Sequence, residues 1–165
     1  MVHTMAKNIK EFIAINVEKK LIKRDLLIGE GINTAYLEPL AKAWNEYGIG
    51  KQEIIFLSIV VAHKCANKIK EKDSLDCEKV VKSSKTTDMG RLSDFSEEKL
   101  TFLISILISK YGINEVVNNI GGIWEDIRIM AEQGIRILYC KIYKEKTIST
   151  EIFNTILNLD EELKI

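Results

Sequence analysis

From Ile120 to Tyr143 the chain runs IGGIWEDIRIMAEQGIRILYCKIY. Its apolar or small residues (Ile120, Ile123, Trp124, Ile127, Met130, Ala131, Gly134, Ile135, Leu138 and Ile142) recur at three- and four-residue steps. That spacing lines one face of an α-helix, whereas a strand would alternate every second residue. Glu125, Arg128, Glu132 and Arg136 fall on the other face with alternating sign. Such pairs add about 0.2–0.5 kcal/mol each and mark that face as solvated. A helix of this kind must lay its stripe on other apolar elements, so the rest of the chain is read as what covers it. Gly134 lies on the stripe, where glycine costs about 1 kcal/mol relative to alanine. The natural compensation is close approach of another helix, from the same chain or a second protein. Gly134, together with Trp124, is therefore a candidate protein interface.

The other segments supply apolar surface of the same kind. Residues from about Ala6 to Ile28 read as a first helix, with Ile9, Phe12, Ile13, Val17 and Leu21 on one stripe and Gly29 and Gly31 as its stop. A second follows from a cap at Asn33 or Thr34, with Pro39 near its start, where a missing N–H costs least. Lys51 to about Lys70 is apolar nearly all round, through Ile54, Ile55, Phe56, Leu57, Ile59, Val60, Val61 and Ala62, which predicts a central helix. Ser96 caps a helix running to Lys110, with Glu97 and Glu98 in its first turn and Phe95 stapled onto Leu100. Asn114 caps a short turn before Gly121-Gly122, and Ser149 or Thr150 begins a last helix. Tyr47-Gly48-Ile49 and Tyr111-Gly112-Ile113 both read as Schellman stops. Residues 71–94 read as a short helix capped at Ser74 and then a long polar loop. No strand alternation or hairpin dipeptide stands out. The fold expected is an all-α, single-domain bundle of about six helices spanning residues 1–165.

Composition narrows the function classes. The chain has 165 residues, 46% of them hydrophobic, which suits one domain with a substantial core. Lys plus Arg and Asp plus Glu are 24 each, so bulk charge does not drive nucleic-acid binding and only a local patch would serve. No secretory leader is visible, and the longest apolar runs are about half the ~20 residues that span a bilayer. No membrane association is expected. Cys65, Cys77 and Cys140 are scattered, show no paired framework and suit a reducing cytoplasm.

No catalytic or metal-ligating constellation stands out. His63 and Cys65 are two apart on a helix and point in different directions, and no CxxC or HxxxH spacing occurs. Glu125, Asp126 and Glu132 are interleaved with arginines, as in surface ion pairs. Gly48-Ile49-Gly50-Lys51 lacks the Walker spacing, and no GxSxG is present. The expectation is a non-enzyme with no cofactor. The candidate contacts are basic. Lys82, Lys85 and Arg91 stand in a hydroxyl-rich loop, and Lys19, Lys20, Lys23 and Arg24 load one helix end. Cations and donors of this kind are what phosphate contacts require.

One arrangement resembles a known group. The apolar helix Glu53-Ile54-Ile55-Phe56-Leu57-Ser58-Ile59-Val60-Val61-Ala62 is followed by a polar loop and the Ser96-Glu97-Glu98 helix. Then comes Ala131-Glu132-Gln133-Gly134-Ile135-Arg136-Ile137-Leu138. Over about residues 51–142 this layout is similar to small helical accessory proteins of DNA phosphorothioation and related anti-phage defence clusters. The resemblance implies a non-catalytic part in a defence or DNA-handling assembly and carries over no catalytic residues. Two functions are therefore expected of this chain, with a small helical hydrolase or metalloenzyme as a remote third. One is a prokaryotic helical adaptor that binds a protein partner or its own copy. The other is an accessory protein contacting nucleic acid through the basic residues.

Overall fold

The computed structural model describes residues 17–65 and 85–140, with Lys7, Asn8 and Glu11. Among the described residues six helices surround one apolar cluster, joined by a two-stranded ribbon. Helix α1 is a single turn, Lys19–Leu21, and strand β1 is Asp25–Gly29. Helix α2 spans residues 30–44, regular at Glu30–Ile32 and Glu38–Trp44 with a wide π-type turn, Asn33–Leu37, between. Helix α3 is Lys51–Cys65, β2 is Thr86–Arg91, and α4 is Glu97–Tyr111. Helices α5, Ile113–Asn118, and α6, Ile120–Ile137, complete the fold.

Helix α3 is central, as its all-round apolar sequence predicts. Ile54, Ile55, Phe56, Ile59, Val60, Val61 and Ala62 are all buried. Its buried Ser58 donates its hydroxyl to the Ile54 carbonyl at 2.6 Å, and among the described residues no buried side-chain nitrogen or oxygen lacks a partner. Helix α6 lays its stripe on α3, with Ile123, Ile127, Met130, Ala131, Gly134 and Ile135 buried. The crossing is at Gly134: a Cβ built there would overlap the Ser58 carbonyl and lie 2.7 Å from the Ser58 Cα. The two backbones meet with no side chain between them. Helix α4 packs on α3 through Phe56, whose ring meets Phe95 edge-on at 6.0 Å and Phe102 at 6.2 Å.

Local signals explain several ends. Ser96 accepts from the Lys99 N–H, as an N-cap should. Gly48 is left-handed (φ 74°), with its N–H on Asn45 and the Ile49 N–H on Trp44, the Schellman pattern. Gly112 has φ 83° but ψ 153°, an extended glycine conformation, and α5 starts at once. That site is a hinge between α4 and α5 rather than a Schellman stop. Asn114 caps nothing, because α5 already begins at Ile113 behind Gly112. Gly121 and Gly122 do not break a helix either. They form the first turn of α6, where Asn119 is the cap and accepts from the Gly122 N–H.

Other expectations are corrected. The first helix does not reach Ile28: regular helix ends at Leu21, and residues 25–29 are a strand. Helix α2 begins at Glu30, ahead of the expected cap, and Asn33 is buried within it. Pro39 follows the wide turn. Its ring would crowd the carbonyl four residues back, and the π turn is where the helix makes that room. Within the expected polar loop, Thr86–Arg91 is strand β2, followed by a 3₁₀ turn, Leu92–Asp94. Cys140, fully buried, is disulfide-bonded, which overturns the reading of the cysteines as unpaired. The helices expected after Ser74 and after Ser149 lie outside the described residues. No helix among the described residues is long and apolar enough to cross a membrane.

Candidate nucleic-acid interface

The ribbon positions the basic residues. Strands β1 and β2 are antiparallel, with Asp25 opposite Arg91, Leu27 opposite Asp88 and Gly29 opposite Thr86. Between the first two pairs β2 carries one extra residue, a bulge. Gly90 occupies it at φ 99°, where its N–H donates to Asp88 Oδ1 at 2.8 Å. A side chain at this position would meet Gln52 Nε2 at 2.6 Å, and the Gln52 amide donates to the Met89 carbonyl at 3.0 Å. Helix α3 thus fixes the back of the ribbon.

Helix α6 fixes its front. The Trp124 indole N–H donates to the Asp25 carbonyl at 3.1 Å, and the Gly29 N–H donates to Glu132 Oε1 at 2.7 Å. Arg128 holds Glu132 at 2.9 Å and also pairs with Glu125. The hydrogen bonds from Arg128 hold the Glu125 carboxyl below its ordinary value, and the same bonds push the Arg128 guanidinium up. The charged face of α6 is therefore not uniformly solvated. The Glu132 side chain is only 19% exposed, because it clamps the end of β1.

This clamp brings together residues far apart in sequence. The Leu92 N–H reaches the Arg24 carbonyl at 3.4 Å, so Arg24 and Arg91 stand at the same end of the ribbon. Arg91 pairs with Asp25 at 3.4 Å, but the two side chains are 69% and 52% exposed. A pair this open is worth about 0–1 kcal/mol and yields readily to a stronger anion. The guanidinium of Arg24 lies by the first turn of α6, 3.6 Å from where a Gly121 Cβ would be. Lys20 donates to the Val117 carbonyl at 3.4 Å, at the C-terminal end of α5, where a cation is favoured. Lys19 and Lys23 are exposed on either side of it.

The structure thus brings Arg91 of the loop group and Arg24 of the N-terminal group to the same end of the ribbon, with Lys20 and Lys23 on the turns just before it. Lys85 is not at that end. It precedes β2 at the opposite end, with its carbonyl taking the Glu30 N–H, roughly 20 Å from Arg91 at the rise of a strand. Lys82 lies outside the described residues. The suggested protein interface is largely internal. Gly134 is covered by Ser58, and Trp124 is half-buried with its N–H spent on Asp25. Among the described residues no group of three His, Cys, Asp or Glu side chains is placed to hold a metal ion. The strand pairing was hidden in the sequence, since TTDMGR has no alternating pattern. The Asp88-Met89-Gly90 turn chemistry was its one local sign. Comparison of the chain with protein-family models, curated proteins and solved structures gives no match.

Proposed function

We propose that this chain is a non-catalytic helical accessory protein that contacts the phosphate backbone of nucleic acid through Lys20, Lys23, Arg24 and Arg91. It does so as one part of a DNA-handling or anti-phage defence assembly in the cytoplasm of a prokaryote. The observation that carries the reading is the antiparallel pairing of Asp25 with Arg91. It brings a loop cation to the ribbon end that carries Arg24, whose own guanidinium lies by the first turn of an 18-residue helix, the positive end that favours anions. The defence context rests on the resemblance of residues 51–142 alone.

The test is fluorescence anisotropy of a short labelled duplex across a salt series. Binding that weakens with a log–log slope of about −3 to −4, matching three or four phosphate contacts, supports the reading. No binding at low salt removes it. The adaptor reading, a partner protein or a second copy held through exposed apolar surface, has less behind it. Tyr47 is 72% and Ile129 52% exposed. Single apolar side chains exposed in this way are ordinary on protein surfaces, so the nucleic-acid reading is preferred.

A further inference from the structure

Three aspartates lie on the ribbon and the turn after it, and two of them are committed to the backbone. Asp88 Oδ1 accepts the Gly90 N–H at 2.8 Å and fixes the bulge. Asp94 Oδ2 accepts the Arg91 N–H at 3.1 Å and fixes the turn. Asp25 is different. Its main chain is held by the Trp124 indole on its carbonyl and by its place opposite Arg91, and neither contact uses the carboxylate. The carboxylate meets the Arg91 guanidinium instead, Oδ1 to Nε at 3.4 Å, in open solvent. An exposed pair of this kind adds little to the fold. Its larger effect is on what else Arg91 can hold, because carboxylate and phosphate oxygens compete for the same guanidinium donors.

We propose that Asp25 is an autoinhibitory residue: its carboxylate occupies Arg91 in the free protein, and a nucleic-acid phosphate must displace it to bind there. The inference rests on the reading of Arg91 as a phosphate contact. The backbone sets up the competition. Strand pairing fixes Asp25 and Arg91 directly opposite each other, so the carboxylate is a tethered competitor present at high local concentration. With both side chains exposed the pair is weak enough to open, and it lowers the affinity of an incoming phosphate by about two- to fivefold.

Two arms test this on the full chain. The first adds inorganic phosphate and follows the Arg91 Nε–H signal by NMR, identified as the one missing from Arg91→Gln. In Asp25→Asn that signal should reach half its shift at about two- to fivefold less phosphate than in the wild type. The second uses the labelled duplex, whose binding Asp25→Asn should tighten by the same factor. In an Arg91→Gln background the tightening should vanish. Glu30→Gln removes a carboxylate at the far end of the ribbon, beyond the screening length of about 10 Å at 0.1 M salt, and should leave binding unchanged. Equal half-shift points overturn the proposal, as does an Arg91 signal that phosphate moves in neither protein. Tightening that persists without Arg91, or that Glu30→Gln reproduces, overturns it as well. If the duplex binds neither protein while the phosphate arm behaves as expected, the nucleic-acid reading falls and the competition for Arg91 stands. If the duplex binds and Asp25→Asn changes neither arm, the reverse holds.

Discussion

Gly134 lies directly against Ser58: the backbones of α6 and α3 touch there, with no room for a methyl group between them. Gly134→Ala should therefore lower stability by about 3 kcal/mol or more, the upper end of core overpacking. Urea unfolding followed by circular dichroism measures it. Gly121→Ala is the matched control, in the same helix, where an added Cβ meets only the far end of the Arg24 side chain at 3.6 Å, an ordinary contact. It should be neutral or stabilise by up to about 1 kcal/mol.

Arg24→Gln and Arg91→Gln should each flatten the salt dependence of duplex binding by about one contact in log–log slope, with little sequence preference in the loss. Stability should change by under about 0.5 kcal/mol, because both side chains are exposed. Lys85→Gln, at the far end of β2, should leave the slope unchanged. An equal effect from Lys85 would mean that the binding face is not the one at Arg24 and Arg91.

The front clamp of the ribbon depends on two hydrogen bonds from or to α6. Trp124→Phe keeps an aromatic ring, smaller than the indole, and loses the donor to Asp25, at a cost of about 1 kcal/mol. Glu132→Ala removes the acceptor of the Gly29 N–H together with the Arg128 partner, at about 2 kcal/mol. Both changes should speed amide exchange across residues 25–29 and 86–91 more than across α3. Uniform acceleration would show that the ribbon does not open separately.

Stability should fall at high pH through Tyr111. Burial, then the hydrogen bond to Asp126 at 2.7 Å, raises its hydroxyl pKa above the ordinary 10.0. Folding thus favours the protonated form. Its contribution is complete below pH 10 and is lost as the pH climbs beyond it. Thermal melts between pH 9 and pH 11 should show this decline, and Tyr111→Phe should blunt it. At the acid end Glu125 acts in the opposite sense. Its lowered carboxyl contributes above the ordinary value of 4.5 and is lost as pH falls below it. That loss is small, because the side chain is 57% exposed.

The helices α3, α4 and α6 were legible because their information is local. An all-round apolar run, a Ser96 cap and a stripe at three- and four-residue steps each act within one segment. The Gly48 stop was legible for the same reason. Strand β1 was not. Leu21, Leu26 and Ile28 extend the apolar content of the segment before them, and nothing in DLLIG alone opposes a helix. Those residues are extended because β2, about sixty residues later, supplies their hydrogen bonds. The meeting of Arg24 and Arg91 at one end of the ribbon was hidden for that reason, because it exists only once that pairing has formed. The identical triplets at Gly48 and Gly112 part ways in the backbone: Gly48 has a ψ of 16° and α3 starts only at Lys51, whereas Gly112 has a ψ of 153° and α5 starts at the next residue.

The central position of α3 also sets an order of assembly. Its apolar surface is synthesised by residue 65, but α4 and α6, which cover it, begin only at Glu97 and Ile120. During translation a helix with no hydrophilic side therefore waits for more than half of the remaining chain to emerge. Until α4 and α6 emerge, that surface is open to the aggregation which transiently exposed apolar segments invite, so slowing synthesis between residues 65 and 137 should lower the yield of folded protein.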